Sequence, residues 1–452
     1  MASRSEMDKR IEEMAKKCEQ VGKIDKELYA KYNVNIGLRD LNGAGVLTGL
    51  TDISEIRQNK IVDGKVVPTD GKLFYRGINV EDIIHGCVNE KRFGFEEVIY
   101  LLLFAKLPNN DEYEKFKQFL SDYRTLPKNF VRDIIMKSPT KDIMNSLAKS
   151  VLSLSSYDKD LFDLSTLNVL EQSMRLISVF PLLAGYSYQA YMHALKGESL
   201  FIYNPKSNES TAEVILKTLR PTGEYTELEA KVLDLALILH AEHGGGNNST
   251  FTTCVVTSTG TDTYSAIAAA LCSLKGPKHG GANKKVMRMM KDIKKNVSDW
   301  DDEEELSAYL GKILDKEAYD KTGLIYGIGH AVYSKSDPRA RVFKSFVEQL
   351  AEEKGKSKEY ALYANIERLA PQLISQRRKM YKGVSANVDF YSGFVYKMLG
   401  LPVELYTPIF AVARIAGWSA HRIEELRNVN KVIRPAYMAI SEEKPYIKME
   451  ER

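Results

Sequence analysis

A twelve-residue stretch, Leu228-Glu-Ala-Lys-Val-Leu-Asp-Leu-Ala-Leu-Ile-Leu239, decides the fold class of this chain. Its apolar residues at 228, 232, 235 and 239 recur every three or four positions, and this spacing places them on one stripe of an α-helix. The same periodicity runs through residues 95–104, 112–123, 263–274 and 361–372. Strand-like runs occur only near the N-terminus, at 45–50, 60–68 and 72–78. The sequence therefore predicts a mostly α fold with few short N-terminal strands.

Composition and charge exclude several classes of function. Hydrophobic residues make up 44% of the 452 residues and charged residues 27%, as in ordinary globular proteins. The net charge of +4 is small and its bases are scattered, which argues against nucleic acid or an anionic membrane as a partner. Because no C-x-x-C pair is present, we expect reduced thiols in a cytoplasmic protein, at Cys18, Cys87, Cys254 and Cys272.

Neither a targeting segment nor a membrane span is expected. The first thirty residues mix acids with bases and contain no apolar core of the kind that signal peptides have. The most apolar long stretch, residues 176–192, is interrupted by Pro181, Gly185 and Gln189. It is also shorter than a membrane span requires, so we expect a buried core helix there.

The first motif, His240-Ala-Glu-His243-Gly-Gly-Gly-Asn247, directly follows the helix at 228–239. Three consecutive glycines let a backbone turn sharply or approach a ligand closely. The two histidines would share a helix face, so a metal pair is the alternative interpretation. No H-E-x-x-H pattern and no third ligand accompany them, and we expect no metal.

A second motif, Lys275-Gly-Pro-Lys-His279-Gly-Gly-Ala-Asn283, follows another apolar helix. Glycines around His279 expose its ring and can place it at a helix N-terminus. There the helix dipole disfavours imidazolium, so a neutral ring can donate one hydrogen bond. The alternative is a capping loop in which the histidine is incidental.

A third motif, Gly327-Ile-Gly-His330-Ala-Val-Tyr333, is followed by Asp337-Pro-Arg339. In a glycine-flanked loop, free backbone N–H and C=O groups can hold a nucleotide by hydrogen bonds. The strand and third glycine of a dinucleotide-binding fingerprint are missing, which argues against Rossmann chemistry. Arg339 is a candidate for bidentate carboxylate binding.

The fourth motif, Asn387-Val-Asp389-Phe-Tyr-Ser-Gly393, precedes a run of small and apolar residues that contains Arg414. Apolar neighbours would raise the pKa of Asp389 and suit it to act as a general base. A buried guanidinium at Arg414 requires an anion, which indicates a ligand carboxylate. The alternative is a structural ion pair with Glu404 or Asp389.

Taken in order, these motifs resemble the citrate synthase family. The resemblance extends from about Thr222 to Pro435, and Gly71-Lys-Leu-Phe-Tyr-Arg-Gly77 is similar to the family's N-terminal portion. It implies an almost entirely helical fold in which a smaller helical domain is inserted into a larger one. Residues 1–281 and 395–452 would form the large domain, with the oxaloacetate site and the dimer interface. Residues 282–394 would form the small domain, with the CoA-binding loop and the catalytic His and Asp.

The resemblance also implies roles for individual residues. His279 would hydrogen-bond the thioester carbonyl, Asp389 would remove a methyl proton, and His330 would polarise the oxaloacetate ketone. Oxaloacetate would be held by His243, Asn247, Arg339 and Arg414, and by Arg434 donated from the partner subunit of a homodimer. Phe410 would pack near the acetyl group. The CoA contacts would be Leu324, Ile325, Gly327, Ile328, Gly329, Ala331 and Lys335.

The implied activity is that of an acyltransferase of the tricarboxylic acid cycle. It would condense acetyl-CoA with oxaloacetate and water, through an enol or enolate and citryl-CoA, to give citrate and CoA without a metal or other cofactor. A 2-methylcitrate synthase, which uses propionyl-CoA, is the first alternative. A catalytically silent or metal-binding helical protein is the remote one. The basic residue that the family commonly has four positions after His330 is Ser334 here, with Lys335 beside it, so the CoA phosphate contacts are expected to differ from the family pattern at this position. An acidic residue common after His243 is replaced by Gly244.

Overall fold

Helices dominate the computed structural model, which describes residues 4–21, 23–40, 45–62, 65–329, 333, 335–378, 384–429 and 431–452. Within these residues the α-helices are α1 Arg4–Gln20, α2 Lys26–Lys31, α3 Val80–Asn89, α4 Phe95–Phe104, α5 Asn110–Asp122, α6 Ile143–Leu154, α7 Thr166–Lys196, α8 Thr211–Leu219, α9 Glu227–His240, α10 Asn248–Thr257, α11 Thr263–Leu274, α12 Ala282–Asn296, α13 Glu303–Leu314, α14 Pro338–Glu353, α15 Ser357–Arg378, α16 Val388–Met398 and α17 Tyr406–Asn428. The strands are β1 Ser54–Val62, β2 Lys65–Tyr75 and β3 Ile78–Asn79. The predicted mostly α fold is confirmed.

The chain divides into two units, Met1–Leu50 and Thr51–Arg452. The first unit contains α1 and α2. The side chain of Asp25 caps α2 by accepting a hydrogen bond from the backbone N–H of Glu27 at 3.0 Å. The second unit contains all other helices and the sheet.

The sheet is antiparallel, in the order β1-β2-β3. Its register pairs Ser54 with Tyr75 and shifts between Arg57 and Asn59. The strand-like runs predicted at 60–68 and 72–78 fall largely within these strands. The run predicted at 45–50 is wrong, because Gly45 makes one isolated bridge and the next five residues belong to no strand.

Many of the helices, though not α4, α12 or α17, begin where the side chain of the N-cap residue accepts a hydrogen bond from a free backbone N–H group. Thr226 and Glu229 form a capping box at the start of α9, the helix predicted over 228–239. The longest helix, α7, begins at the cap Ser165, continues through Pro181 and is buried over most of its length. This confirms the core helix predicted at 176–192. No described helix is long and apolar enough to span a membrane.

Two groups of helices position the site. α17 packs against α4, α7, α9, α10 and α11. Helices α12 and α14 both pack on α16, while α13 and α14 pack on α15. Since α14 also contacts α9 and β2, the two groups meet at α14. The domain boundaries predicted at 282 and 394 stay a prediction.

Candidate active site

The turn after α9 carries His243. Gly244 adopts a φ of +84°, and a Cβ added there would lie 2.8 Å from Ile56 Cδ1. Glycine is therefore required both by the left-handed backbone and by the close approach of β1. The side chain of His243 is buried, and its ring lies edge-on to that of Tyr333 with the ring centroids 5.8 Å apart.

Arg414 lies on α17 with a buried guanidinium. Its Nε donates to the carbonyl oxygen of His240 at 2.6 Å. Neither Glu404 nor Asp389 pairs with it, and it makes no other hydrogen bond or ion pair within the described part of the chain. Burial lowers the pKa of Arg414, and the nearby Glu242 carboxylate opposes that effect. A buried guanidinium with unused donors is suited to bind an anion.

Arg339 lies in the first turn of α14, directly after the cap Asp337. Its Nε and Nη2 donate to the two carboxylate oxygens of Asp337, at 3.0 and 2.8 Å. The bidentate carboxylate expected for Arg339 is thus, in this structure, supplied at least in part by its own chain. Burial disfavours the charged form of Arg339, but the carboxylate of Asp337 raises the pKa of Arg339 above its usual value.

Asp389 lies in the first turn of α16, where the side chain of Asn387 accepts its backbone N–H at 2.9 Å. Burial raises the pKa of Asp389 to about 6, against the opposing charges of Arg339 and Arg414. Its carboxylate oxygens form no hydrogen bond or ion pair with any residue that the structure describes. The carboxylate is therefore available as a base whose strength exceeds that of an ordinary aspartate.

His279 lies in the turn before α12, with Nε2 at 3.3 Å from Ser249 Oγ. Ser249 Oγ also donates to Asn247 Oδ1 at 2.9 Å and accepts the Trp418 Nε1–H at 3.2 Å. Burial, assisted by the charge of Arg414, lowers the pKa of His279 to about 4. The ring is therefore neutral at pH 7, as expected for a histidine that donates a hydrogen bond to a substrate.

The backbone around His279 is closely packed. A Cβ added at Gly280 would lie 2.4 Å from the carbonyl oxygen of Leu274 and 2.6 Å from Thr407 Cγ2. Thr407 Oγ1 donates to the carbonyl oxygen of Gly280 at 2.8 Å. This contact attaches the His279 turn to the start of α17, three residues before Phe410.

Phe410 stacks on His240, with ring centroids 3.6 Å apart and an interplanar angle of 22°. The Nε2 of His240 lies 2.7 Å from the Tyr396 hydroxyl. Burial, with the charges of Arg414 and Arg339, lowers the pKa of His240 well below its usual value. The neutral ring thus fills the space between Phe410 and α16. The expected contact of Phe410 with an acetyl group stays a prediction.

The predicted CoA loop is attached to the segment before α16. Gly327 and Gly329 have φ values of +83° and +99°. Gly329 N–H donates to the carbonyl oxygen of Ser385 at 2.7 Å, and Asn387 Nδ2 donates to that of Gly329 at 2.7 Å. Ile328 forms a single antiparallel bridge with Ala386. These bonds connect the loop to the helix that carries Asp389.

Within this loop Ile325 is buried, whereas Leu324 is 43% exposed. Lys335 is exposed. His330, predicted to polarise the ketone, and Ala331, predicted to contact CoA, lie outside the described residues.

Arg434 is exposed in the irregular segment after α17. The backbone N–H of its neighbour Ile433 donates to Ser258 Oγ at 3.0 Å, at the C-terminal end of α10. Ser249 lies at the other end of the same helix, and ten residues of α-helix span about 15 Å. Arg434 is therefore attached at the end of α10 remote from its own chain's Ser249 and His279.

Among the residues that the structure describes, Arg414 is a cation without a carboxylate partner, Asp389 is a carboxylate without a hydrogen-bond partner, and His279 is a neutral imidazole. The charge of Arg414 affects the pKa values of both His279 and Asp389, so Arg414 lies near each of them. Arg339 influences that of Asp389, and its guanidinium lies 5.9 Å from the centre of the Tyr333 ring that also contacts His243. No three His, Cys, Asp or Glu side chains within the described ranges are arranged to hold a metal ion.

A family model described as "Citrate synthase, C-terminal domain" matches residues 41–436. The chain belongs to the citrate synthase family. It is 34% identical to a citrate synthase of Synechocystis over 86% of this chain and 90% of that protein. It is also 33% identical to 2-methylcitrate synthase 1 of Corynebacterium glutamicum, over 90% and 97% respectively.

Among solved structures, the chain is similar to citrate synthase of Thermoplasma acidophilum in a ternary complex with carboxymethyl coenzyme A and oxaloacetate. The TM-score is 0.73 at 27% identity, over 90% of this chain and 97% of that one. The predicted family, fold class, and enzyme class of an acyltransferase that makes citrate from acetyl-CoA and oxaloacetate are confirmed.

The structure adds residues to which the sequence analysis assigned no role. Asp337 is paired with Arg339, Ser249 contacts His279, and a buried Glu242–His421 pair lies beside the His243 turn. The sequence did contain one signal for the last pair. His421 follows Arg414 by seven residues, which is two turns on the same face of α17.

Proposed function

We propose that this member of the citrate synthase family condenses acetyl-CoA with oxaloacetate through the residues described above. The observation that carries this proposal is the position of Asp389. Its carboxylate is partly buried and has no hydrogen-bond or ion-pair partner among the described residues, and it is close enough to Arg339 and Arg414 for their charges to oppose the rise in its pKa. One cation and one base beside a neutral histidine are what an enolisation next to a carboxylate-binding site requires.

In the first step Asp389 removes a proton from the methyl group of acetyl-CoA. A carboxylate whose pKa is about 6 is a stronger base than an ordinary aspartate and is still ionised at pH 7. The resulting enol or enolate carbon attacks the ketone carbon of oxaloacetate and forms citryl-CoA. Water then hydrolyses the thioester and releases citrate and CoA.

His279 stabilises the oxygen of the enol or enolate by donating a hydrogen bond from its neutral ring. Ser249 helps to orient that ring through the contact at Nε2. Because Ser249 has a single proton, that proton bonds either Asn247 Oδ1 or His279 Nε2, and the shorter distance favours Asn247. Engagement of Asn247 by oxaloacetate would release the Ser249 proton to His279 Nε2, so that the neutral ring carries its own proton on Nδ1 and can donate it to the thioester oxygen.

Oxaloacetate binding rests chiefly on Arg414, whose terminal nitrogens have no carboxylate partner in the described chain. Arg339 provides the second guanidinium and His243 a third donor. His330 would polarise the ketone and protonate the new alkoxide, a role that follows from the family motif. No step requires a metal.

Propionyl-CoA is the alternative acyl substrate, since relatives of similar identity are 2-methylcitrate synthases. The two substrates differ by one methylene group, and such a difference changes kcat/KM by about 10- to 200-fold. The acyl group would lie near His279 and Phe410.

Consumption of the thioester tests the proposal directly. Absorbance of the thioester bond is the better signal, because the chain's free cysteines would react with a thiol reagent. Acetyl-CoA should be consumed only when oxaloacetate is present, with citrate as the product. Consumption of neither acyl-CoA would refute the proposal, and a higher kcat/KM for propionyl-CoA would assign the methylcitrate reaction. Dialysis against a chelator before the assay should leave the rate unchanged.

We further propose that the protein is a homodimer and that it is located in the cytoplasm. A homodimer is supported by the attachment of Arg434 at the end of α10 remote from its own chain's site. The cytoplasm is supported by four cysteines that form no disulfide.

A further inference from the structure

A second buried charge pair lies directly behind the turn that carries His243. His421 Nε2 is 3.2 Å from Glu242 Oε1, and the two side chains are 2% and 0% exposed. Neither residue has a role in the reaction proposed above. Buried ion pairs are costly to desolvate, so the presence of one beside a binding site calls for an explanation.

Glu242 determines the path of the turn. Its Oε1 also accepts the backbone N–H of Gly244 at 2.5 Å and the hydroxyl of Ser54 at 3.0 Å. A Cβ added at Gly417 would lie 2.2 Å from Glu242 Oε2, so α17 packs directly against this carboxylate. The carboxylate therefore ties β1, α17 and the residue after His243 together.

The pair also determines the charge next to Arg414. Burial favours a neutral His421, but the Glu242 carboxylate more than compensates and raises the pKa of His421 to about 10. Burial likewise opposes the charge of Glu242, yet His421 and Arg414 hold the pKa of that carboxyl below its usual value. Both groups are thus charged at neutral pH.

We propose that Glu242 and His421 are positioning residues for oxaloacetate: Glu242 holds the His243 turn, and His421 neutralises Glu242 so that Arg414 stays available to a substrate carboxylate. This inference rests on the proposed function of the site. Without the positive charge of His421, Glu242 would repel a dianionic substrate and would compete for Arg414. Since Arg414 and His421 lie two turns apart on one face of α17, a single helix presents both cations to the turn.

Three variants separate this electrostatic role from simple packing. His421→Gln leaves the charge of Glu242 uncompensated, and the dissociation constant for oxaloacetate should rise about tenfold or more. Glu242→Gln keeps the acceptor for Gly244 and Ser54 but removes the charge, so affinity should stay within about threefold. In the double variant both positions are neutral, and affinity should return to within about threefold of wild type.

The measurement is calorimetric titration with oxaloacetate, with KM and kcat determined alongside. KM for oxaloacetate should follow the dissociation constants while kcat changes less. His193→Gln serves as the matched control, because His193 is an exposed histidine on α7 and the substitution should change nothing. Thermal unfolding of each variant shows whether the fold is retained.

A double variant that binds oxaloacetate as weakly as His421→Gln, or more weakly, would overturn the inference. If the pair were purely structural, each substitution would weaken binding and the two effects would add. Wild-type affinity in a folded His421→Gln would also overturn the inference. The proposed function fails separately, if the wild-type protein itself neither binds oxaloacetate nor consumes an acyl-CoA in its presence.

Discussion

The carboxylate of Asp337 accepts two hydrogen bonds from the guanidinium of Arg339, at 3.0 Å from Nε and 2.8 Å from Nη2. The Oδ2 of Asp337 also accepts the backbone N–H of Val388 at 3.2 Å. One buried carboxylate thus connects the arginine at the start of α14 with the N-terminus of α16. Because Asp389 directly follows Val388, the proposed base and the proposed substrate ligand are held by the same group.

Asp337→Asn tests this connection. The amide keeps one acceptor oxygen but loses the charge that orients the guanidinium, so kcat/KM for oxaloacetate should fall about 10- to 100-fold. Steady-state kinetics measure the effect. Asp133→Asn is the control, because the Arg132–Asp133 pair is exposed and should contribute nothing measurable to catalysis. Equal kcat/KM in Asp337→Asn and wild type would show that the connection has no catalytic role.

The pH dependence of kcat should follow the ionisation of the Asp389 carboxyl group. The group acts as a carboxylate and its pKa is raised to about 6, so the rate should fall as the pH drops through that value. Asp389→Ala should abolish condensation while calorimetry still detects oxaloacetate binding. Loss of that binding in a folded variant would mean that the role of Asp389 is assigned wrongly.

The raised pKa of Asp389 also predicts how the stability of the fold depends on pH. The folded-state pKa lies above the ordinary value of 3.8, so ionisation of Asp389 destabilises the fold, fully so above about pH 6. Asp389→Asn should therefore raise the free energy of unfolding at pH 8, by about 1–3 kcal/mol, and raise it less at pH 5. Denaturant titrations at both pH values measure the difference. An equal effect at both would contradict the raised pKa.

Arg414→Lys should weaken oxaloacetate binding by about 100-fold, because an ammonium group cannot make the bidentate contact that a guanidinium makes with a carboxylate. Arg422→Lys is the matched control on the same helix. Arg422 is also buried, but each nitrogen of its guanidinium donates a hydrogen bond to an oxygen of one of the threonines at 257, 261 and 263. Arg422→Lys should lower the free energy of unfolding and leave the affinity for oxaloacetate unchanged. The reverse pattern would reject Arg414 as the carboxylate ligand.

Arg434 should act on the partner subunit's site. Arg434→Ala and Asp389→Ala should each be nearly inactive as homodimers. When the two are co-expressed, about half of the dimers are mixed and each has one intact site, so activity should recover to roughly a quarter of wild type. Differentially tagged subunits show whether mixed dimers form. Verified mixed dimers without activity above the parents would place Arg434 in its own chain's site or outside catalysis.

Several features of the fold followed from local patterns. The α9, α11 and α4 helices lie where apolar periodicity predicted them, because burying one stripe of a helix is a local requirement. The run at 45–50 was predicted wrongly as strand-like. Strand pairing depends on a distant partner, and a short apolar run carries no information about whether that partner exists.

The candidate site residues were predicted from short motifs and from the family resemblance that these motifs carry, and the structure brings Arg414 within charge range of both Asp389 and His279. What no motif contained was the state of each group. How strongly burial and the distant Glu242 act on the charge of Arg414, and how far the pKa of Asp389 rises against the charges of Arg339 and Arg414, depend on groups that other elements bring close.

The sequence by itself determined the helical fold, the family and the residue types of the site, because helix periodicity and glycine-rich turns are set by neighbours in the chain. Only the tertiary structure decided that Glu242 pairs with His421, 179 residues away, and that Asp337 joins α14 to α16. The physical reason is that hydrogen bonds and desolvation act over a few ångströms in space. Groups remote in sequence therefore acquire their charge and orientation only after the helices have packed.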